Sequence, residues 1–164
     1  AMDVLLSIPS ILLAIAIAAS LGPGLFNLMI AVGISSTPNY ARIVRGSVLS
    51  IRNQEFVEAA KAVGSSDLRI ILKHIIPNCL APIIVQATLG VAIAILTAAG
   101  LSFIGLGAQP PTPEWGAMIA SGRKFLMDQW WYATFPGLFI LFTVIGFNIF
   151  GDALRDVLDP RIRR

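Results

Sequence analysis

Three long stretches of the chain carry no Asp, Glu, Lys or Arg, and nothing else in the sequence restricts the fold as strongly. Between Asp3 and Arg42 lie 38 such residues, between Lys73 and Glu114 another 40, and between Asp128 and Asp152 another 23. A helix needs about 20 apolar residues to cross the hydrocarbon core of a bilayer, so these stretches have room for three or four spans. The alternating pattern of a transmembrane barrel is absent from them, which makes the spans helical. Composition agrees: 56% of the 164 residues are hydrophobic, only 13% are charged, and the mean hydropathy is +0.80. A single soluble core of this size could not hide that much apolar surface. The expected fold is an all-α, polytopic helical membrane protein. A disordered chain, a disulfide scaffold and a coiled coil are excluded on the same figures.

The first stretch is too long for one span, and Gly22-Pro23-Gly24 is its strongest breaker. That gives two spans in a tight hairpin, about 4–21 and 25–41, with Pro9 kinking the first. Arg42 and Arg45 can snorkel at the end of the second. A third span is expected at about 82–104, bounded by Gly105 and Gly107, and a fourth at 133–151. Between them, Gln109-Pro110-Pro111-Thr112-Pro113 reads as an extended connector. Residues 114–126 read as a short helix at the membrane surface, followed by an interfacial belt of Trp130, Trp131 and Tyr132. Asp3 stands where the basic region of a cleavable signal would sit, so no such signal is expected.

The polar segment between the second and third spans, residues 42–73, holds six Lys/Arg against Glu55, Glu58 and Asp67. It divides into two short helices. Residues 54–63 place Phe56, Ala59, Ala60 and Val63 on one stripe, and Gly64 stands where a left-handed residue would end the helix. Ser65 or Ser66 can cap a second helix, 67–76, whose apolar face is Leu68, Ile71, Leu72 and Ile75, and Pro77 ends or kinks it. Orientation follows from counting. With 42–73 and the C-terminus inside, the cytoplasmic side has six plus four Lys/Arg and the outer side only Arg123 and Lys124. Both ends of this segment are therefore expected in the cytoplasm. The net charge of +3 and pI of about 9.5 do not point to nucleic acid, because the cations flank apolar spans.

Catalytic and metal-binding patterns are missing from the sequence. His74 has no second ligand at useful spacing, Cys79 cannot form an internal disulfide, and there is no phosphate loop, nucleophile elbow or H-E-x-x-H. No metal, cofactor or catalytic residue is expected. Asp152, Asp156 and Asp159 surround Arg155, which can pair with Asp152 and Asp159 along one helix face. None of the four expected spans contains Asp, Glu, Lys, Arg or His, whereas ion-coupled carriers and pumps need a charge there. Asn27, Gln86, Thr88, Thr97, Thr143 and Asn148 are the polar side chains available for interhelical bonds or a polar path. If solute moves uphill, the energy comes from another chain.

The loop itself carries a recognisable pattern. Glu58-Ala59-Ala60, three residues, Gly64, nine residues, then His74-Ile75-Ile76-Pro77 resembles the EAA loop of bacterial ABC importer permeases, E-A-A-x3-G-x9-I-x-L-P. His74 stands for Ile and Ile76 for Leu. The resemblance continues through 40–46 (Tyr-Ala-Arg-Ile-Val-Arg-Gly), 101–107 (Leu-Ser-Phe-Ile-Gly-Leu-Gly), 109–118, 147–156 and Asp159-Pro160-Arg161. Together these residues are similar to the second permease subunit of the dipeptide/oligopeptide/nickel class, whose members are about twice as long with six spans. This chain corresponds to the last four.

What the resemblance implies is a machine of several parts. Two related permease subunits form the pathway in the bacterial inner membrane, two ABC ATPase subunits dock on the EAA loops (42–77 here), and an extracytoplasmic solute-binding protein delivers a peptide or related solute. It assigns ATPase coupling to Glu58, Ala59, Ala60, Gly64 and Pro77, leaves ATP hydrolysis to the partner, and implies alternating access. The alternatives are a passive channel and a membrane scaffold subunit whose basic loop touches lipid headgroups.

Overall fold

The structure is a computed structural model and describes residues 2–158. Every regular element in that range is helical: α1 (Met2–Leu6), α2 (Ser10–Leu21), α3 (Leu25–Arg52), α4 (Glu55–Ala62), α5 (Asp67–Ile70), α6 (Ile76–Phe103), α7 (Trp115–Gly122) and α8 (Trp131–Leu158). A π-helical turn, Ile71–Ile75, joins α5 to α6, and a 3₁₀ turn, Arg123–Phe125, follows α7. α3 packs against both α2 and α6, α6 also packs against α8, and α7 wedges against α6 and α8.

Small residues make many of the helix contacts, and many of the large ones face outward. Ala14 and Ala18 of α2, Ala31 of α3, Ala92 and Ala99 of α6, and Ala133 and Gly151 of α8 are buried. Phe26, Ile93, Phe139, Phe142 and Ile149 are exposed. This inversion suits lipid, where apolar tails solvate the large side chains and close backbone approach supplies the packing. Two of the described helices are long and apolar enough to cross a bilayer, the continuous rod Asp67–Phe103 and α8.

Several boundaries differ from the sequence expectation. Pro9 does not kink one long helix: it stands at the N-cap of α2, and a break separates α1 from α2. With 12 residues, α2 is apolar but spans only about 18 Å. α3 does not stop near residue 41 and runs on to Arg52 through Pro38. In the turn ahead of that proline Ser35 and Ser36 donate to the Val32 carbonyl (3.0 and 2.7 Å) and Thr37 donates to that of Gly33 (3.0 Å), one residue short of the Ile34 carbonyl that an N–H at position 38 would have bonded. The polar loop thus shrinks from 42–73 to the residues after Arg52. α6 begins at Ile76 rather than near 82, and α8 continues past 151 to Leu158. Asp159 and the tail that follows it lie outside the described residues.

Two clusters of buried apolar residues form at opposite ends of the bundle. Ala14, Leu28, Val32 and Leu101 form a cluster between α2, α3 and the end of α6. There Gly105, at φ +90°, reverses the chain so that the Leu106 N–H donates to the Leu101 carbonyl (2.9 Å) and the Gly105 N–H to that of Ser102 (3.0 Å). This is a Schellman ending, and its hydrophobic pair, Leu101 and Leu106, joins the cluster. The Gly24 N–H donates to the Gly107 carbonyl (2.9 Å), tying this turn to the α2–α3 turn, where Asn27 Nδ2 donates to the Leu21 carbonyl (2.8 Å). Glu114 then starts α7, its carboxylate accepting from the N–H groups of Gly116 (3.0 Å) and Ala117 (2.9 Å). The second cluster lies at the other end, beneath the α4–α5 hairpin.

Candidate functional site

The hairpin is built from two short helices and one left-handed glycine. α4 begins after Gln54, with Glu55 and Glu58 in its first turn, where carboxylates favour the positive end of the helix dipole. It ends in a second Schellman motif. Gly64 has φ +80°, the Ser65 N–H donates to the Ala60 carbonyl (3.1 Å), and the Gly64 N–H donates to that of Lys61 (2.9 Å). The expected reversal at Gly64 is present. Ser66 occupies the N-cap position of α5, but its hydroxyl makes no capping bond.

Val57 and Ala60 of α4 point into a cluster with Ile51 of α3, Ile70, Ile75 and Cys79. This overturns part of the expected stripe. Phe56, Ala59 and Val63 face outward, and Ala60, 9% exposed, is sealed inside the hairpin. On the second arm the buried pair is Ile70 and Ile75, while Leu68, Ile71 and Leu72 are exposed. The cause is the π turn. Its wider winding brings residues five apart onto one face, shown by the Ile76 N–H donating to the Ile71 carbonyl, so a 3.6-residue period misplaces the stripe. Pro77 does not end the helix. It sits in the first turn of α6 directly after the π turn, inside one continuous rod.

Of the five residues assigned to coupling, then, Glu58 and Ala59 are on the hairpin's outer surface and Gly64 forms its tip. Ala60 holds the two arms together, and Pro77 lies further along the rod. The hairpin's outer surface carries an apolar rim, Phe56 and Val63 (82% exposed) on α4 and Leu68 (67% exposed) and Leu72 on the second arm, among exposed Glu55, Lys61, Arg69 and Lys73. Sequence reasoning missed this rim because it assigned the same residues to the buried face. His74 is half-buried with its ring 6.2 Å from that of Phe56, and its carbonyl accepts from Asn78 Nδ2 (2.7 Å). Among the described residues no three His, Cys, Asp or Glu side chains gather as a metal site. What the hairpin can do is mechanical: it offers an apolar face with an exposed carboxylate, fixed to a rigid helix that continues into the bundle.

The whole chain, residues 1–164, matches the family model described as binding-protein-dependent transport system inner membrane component. It is 55% identical over 160 residues to the probable D,D-dipeptide transport system permease protein of Escherichia coli K12, covering 98% of this chain and 54% of that protein. It is 51% identical over 162 residues to the di/tripeptide transport system permease protein of Pseudomonas aeruginosa UCBPP-PA14, covering 99% and 54%. To the glutathione transport system permease protein of E. coli O1:K1 it is 50% identical over 161 residues, covering 98% and 53%. The chain spans about half the length of the curated relatives it matches.

Proposed function

This chain belongs to the family of binding-protein-dependent transport system inner membrane components, and from that premise we propose that it forms part of the translocation pathway of an ATP-driven importer. Its solute is a short peptide or a related small molecule, in keeping with relatives named for D,D-dipeptides, di- and tripeptides and glutathione. It hydrolyses no ATP itself. A second homologous permease subunit completes the pathway, two ABC ATPases supply the energy, and an extracytoplasmic binding protein delivers the solute. The chain crosses the inner membrane four times, through α1–α2, the apolar half of α3, α6 and α8, with the hairpin and the end of α8 in the cytoplasm. Six cations in 42–73 and four in 155–164 favour that orientation.

The observation that carries this reading is the uncovered apolar rim of the hairpin at the tip of a rod that runs unbroken into α6. An ATPase that grips the rim would move α6 as a lever, and Glu58 would meet a basic groove residue of that partner. The test is a photo-crosslinking amino acid at Ala59 in native membranes, with the trapped protein identified by mass spectrometry. Ala60 is unsuitable, being sealed beneath the hairpin. A trapped ATPase with a phosphate loop supports the reading. Adducts with lipid alone, or with a protein lacking that loop, count against it and favour the scaffold or channel.

A further inference from the structure

A cleft of about 750 Å³ opens at the hairpin end of the bundle, between α3, the start of α6 and the end of α8. It belongs to neither the hairpin rim nor the Leu101 cluster. Its walls are apolar, among them Ile43, Ala81, Pro82, Val85, Leu89 and Leu158. Three polar side chains interrupt them: Asn78 and Gln86 from α6 and Arg155 from α8. Arg155 is exposed, and no carboxylate pairs with it among the described residues, although Asp152 lies one turn before it on the same helix.

Depth along the helices gives the cleft a direction. From Asn78 to Leu89 is eleven residues of α6, about 16 Å, close to the thickness of one leaflet's hydrocarbon. The deep end is closed where Gly151 seats on Leu89, so closely that a Cβ on the glycine would lie 2.8 Å from Leu89 Cδ2. The other end opens beside Asn78 and Leu158, the latter at the end of α8, with Arg155 one turn from Gly151 on the same helix. A guanidinium and the Asn78 amide on the open side, with an apolar wall of Pro82, Val85 and Leu89 interrupted only by Gln86 behind them, match an amphiphile with an anionic phosphate head and an acyl chain. They do not match a free anion, which would leave the slot empty.

We propose that this cleft binds an anionic phospholipid, its phosphate on Arg155 and one acyl chain along Val85 and Leu89. The inference rests on α6 and α8 being in the membrane and is independent of ATPase docking.

The test is native mass spectrometry of the chain in detergent, offered phosphatidylglycerol, phosphatidylcholine or inorganic phosphate, with Arg155→Gln and Ala81→Trp beside the unaltered protein. Phosphatidylglycerol is expected to be retained over phosphatidylcholine. Arg155→Gln should lower its retention about fivefold, the factor equivalent to about 1 kcal/mol of headgroup attraction per cation. Arg155 is exposed, so that variant folds, and Ala81→Trp should abolish retention by filling the slot. Equal retention of the two lipids, retention unmoved by either variant, or binding of inorganic phosphate overturns the proposal. So does a photo-crosslinker at Ala81 in native membranes that traps a protein segment in place of lipid.

Discussion

The backbone N–H of Ser65 donates to the carbonyl of Ala60 across the tip of the α4–α5 hairpin, 3.1 Å, and only the left-handed Gly64 between them permits it. A Cβ in that region costs about 1–2 kcal/mol, and a β-branched one more. Gly64→Val is therefore expected to open the turn and lower the melting temperature of the chain in detergent. In the reassembled importer it should separate ATP hydrolysis from uptake or block assembly. Gly64→Asn, which tolerates the left-handed region, should retain most of both. Equal uptake by the valine variant and the parent would show that the turn is not under this restraint.

Ala59 and Ala60 are neighbours of the same size with opposite surroundings. Ala60 packs with Val57, Ile70 and Ile75, so Ala60→Leu overfills the hairpin and should cost about 1–3 kcal/mol. Ala59 is exposed, and Ala59→Arg should leave stability within about 0.5 kcal/mol while weakening capture of the ATPase. Thermal unfolding and co-purification, measured on both variants, separate the two roles. Matching stability losses would mean that Ala59 also lies inside the packed face.

At the opposite end of the bundle the seating of α7 depends on Gly116. A Cβ there would collide with the carbonyl of Ala99 on α6, and Trp115 beside it stacks on Phe139 of α8, ring centroids 6.2 Å apart. Gly116→Leu is expected to lift α7 from α6 and α8. Its amides should then exchange faster with solvent by about tenfold or more, the equivalent of at least about 1.4 kcal/mol of lost local stability. Gly100, with open space around its Cβ position, is the control, and Gly100→Ala should leave α7 protected. Unchanged protection in the leucine variant would place α7 away from Ala99.

The parts of the fold that were legible in the sequence rest on local chemistry. Gly22-Pro23-Gly24 breaks a helix wherever it sits, Gly64 reverses the chain for the same reason, and the charge-free runs form apolar helices. The misplaced parts depend on neighbours. α3 runs past residue 41 because a change from apolar to polar residues does not end a helix, and no breaker follows Pro38 until after Arg52. The hairpin stripe was misassigned because Phe56, Val57, Ala59 and Ala60 are all apolar, so either face could pack inward. The motif at 101–107 could be matched to a family, but its Schellman turn and its bond to Gly24 require the folded chain.

The π turn supplies the sharpest consequence. Ile70 and Ile75 are both buried in the hairpin core although they are five residues apart, a spacing that a regular α-helix turns to different faces. A π turn is an α-helix holding one extra residue, so removing that residue should leave both flanks in register. Deletion of exposed Lys73 places the two isoleucines four apart, on one α-helical face. Pro77→Ala accompanies the deletion, because without the wide turn the ring would meet a carbonyl of the preceding turn. The double variant is expected to fold, with its melting temperature close to that of the parent and its Ile51–Val57–Ile70 packing kept. Deletion of Lys61, another exposed lysine within regular α4, has no such slack and should swing the residues after it off their face. Unfolding curves for the two deletions provide the check. If removing Lys73 is as damaging as removing Lys61, the rod between hairpin and bundle is not wound as described.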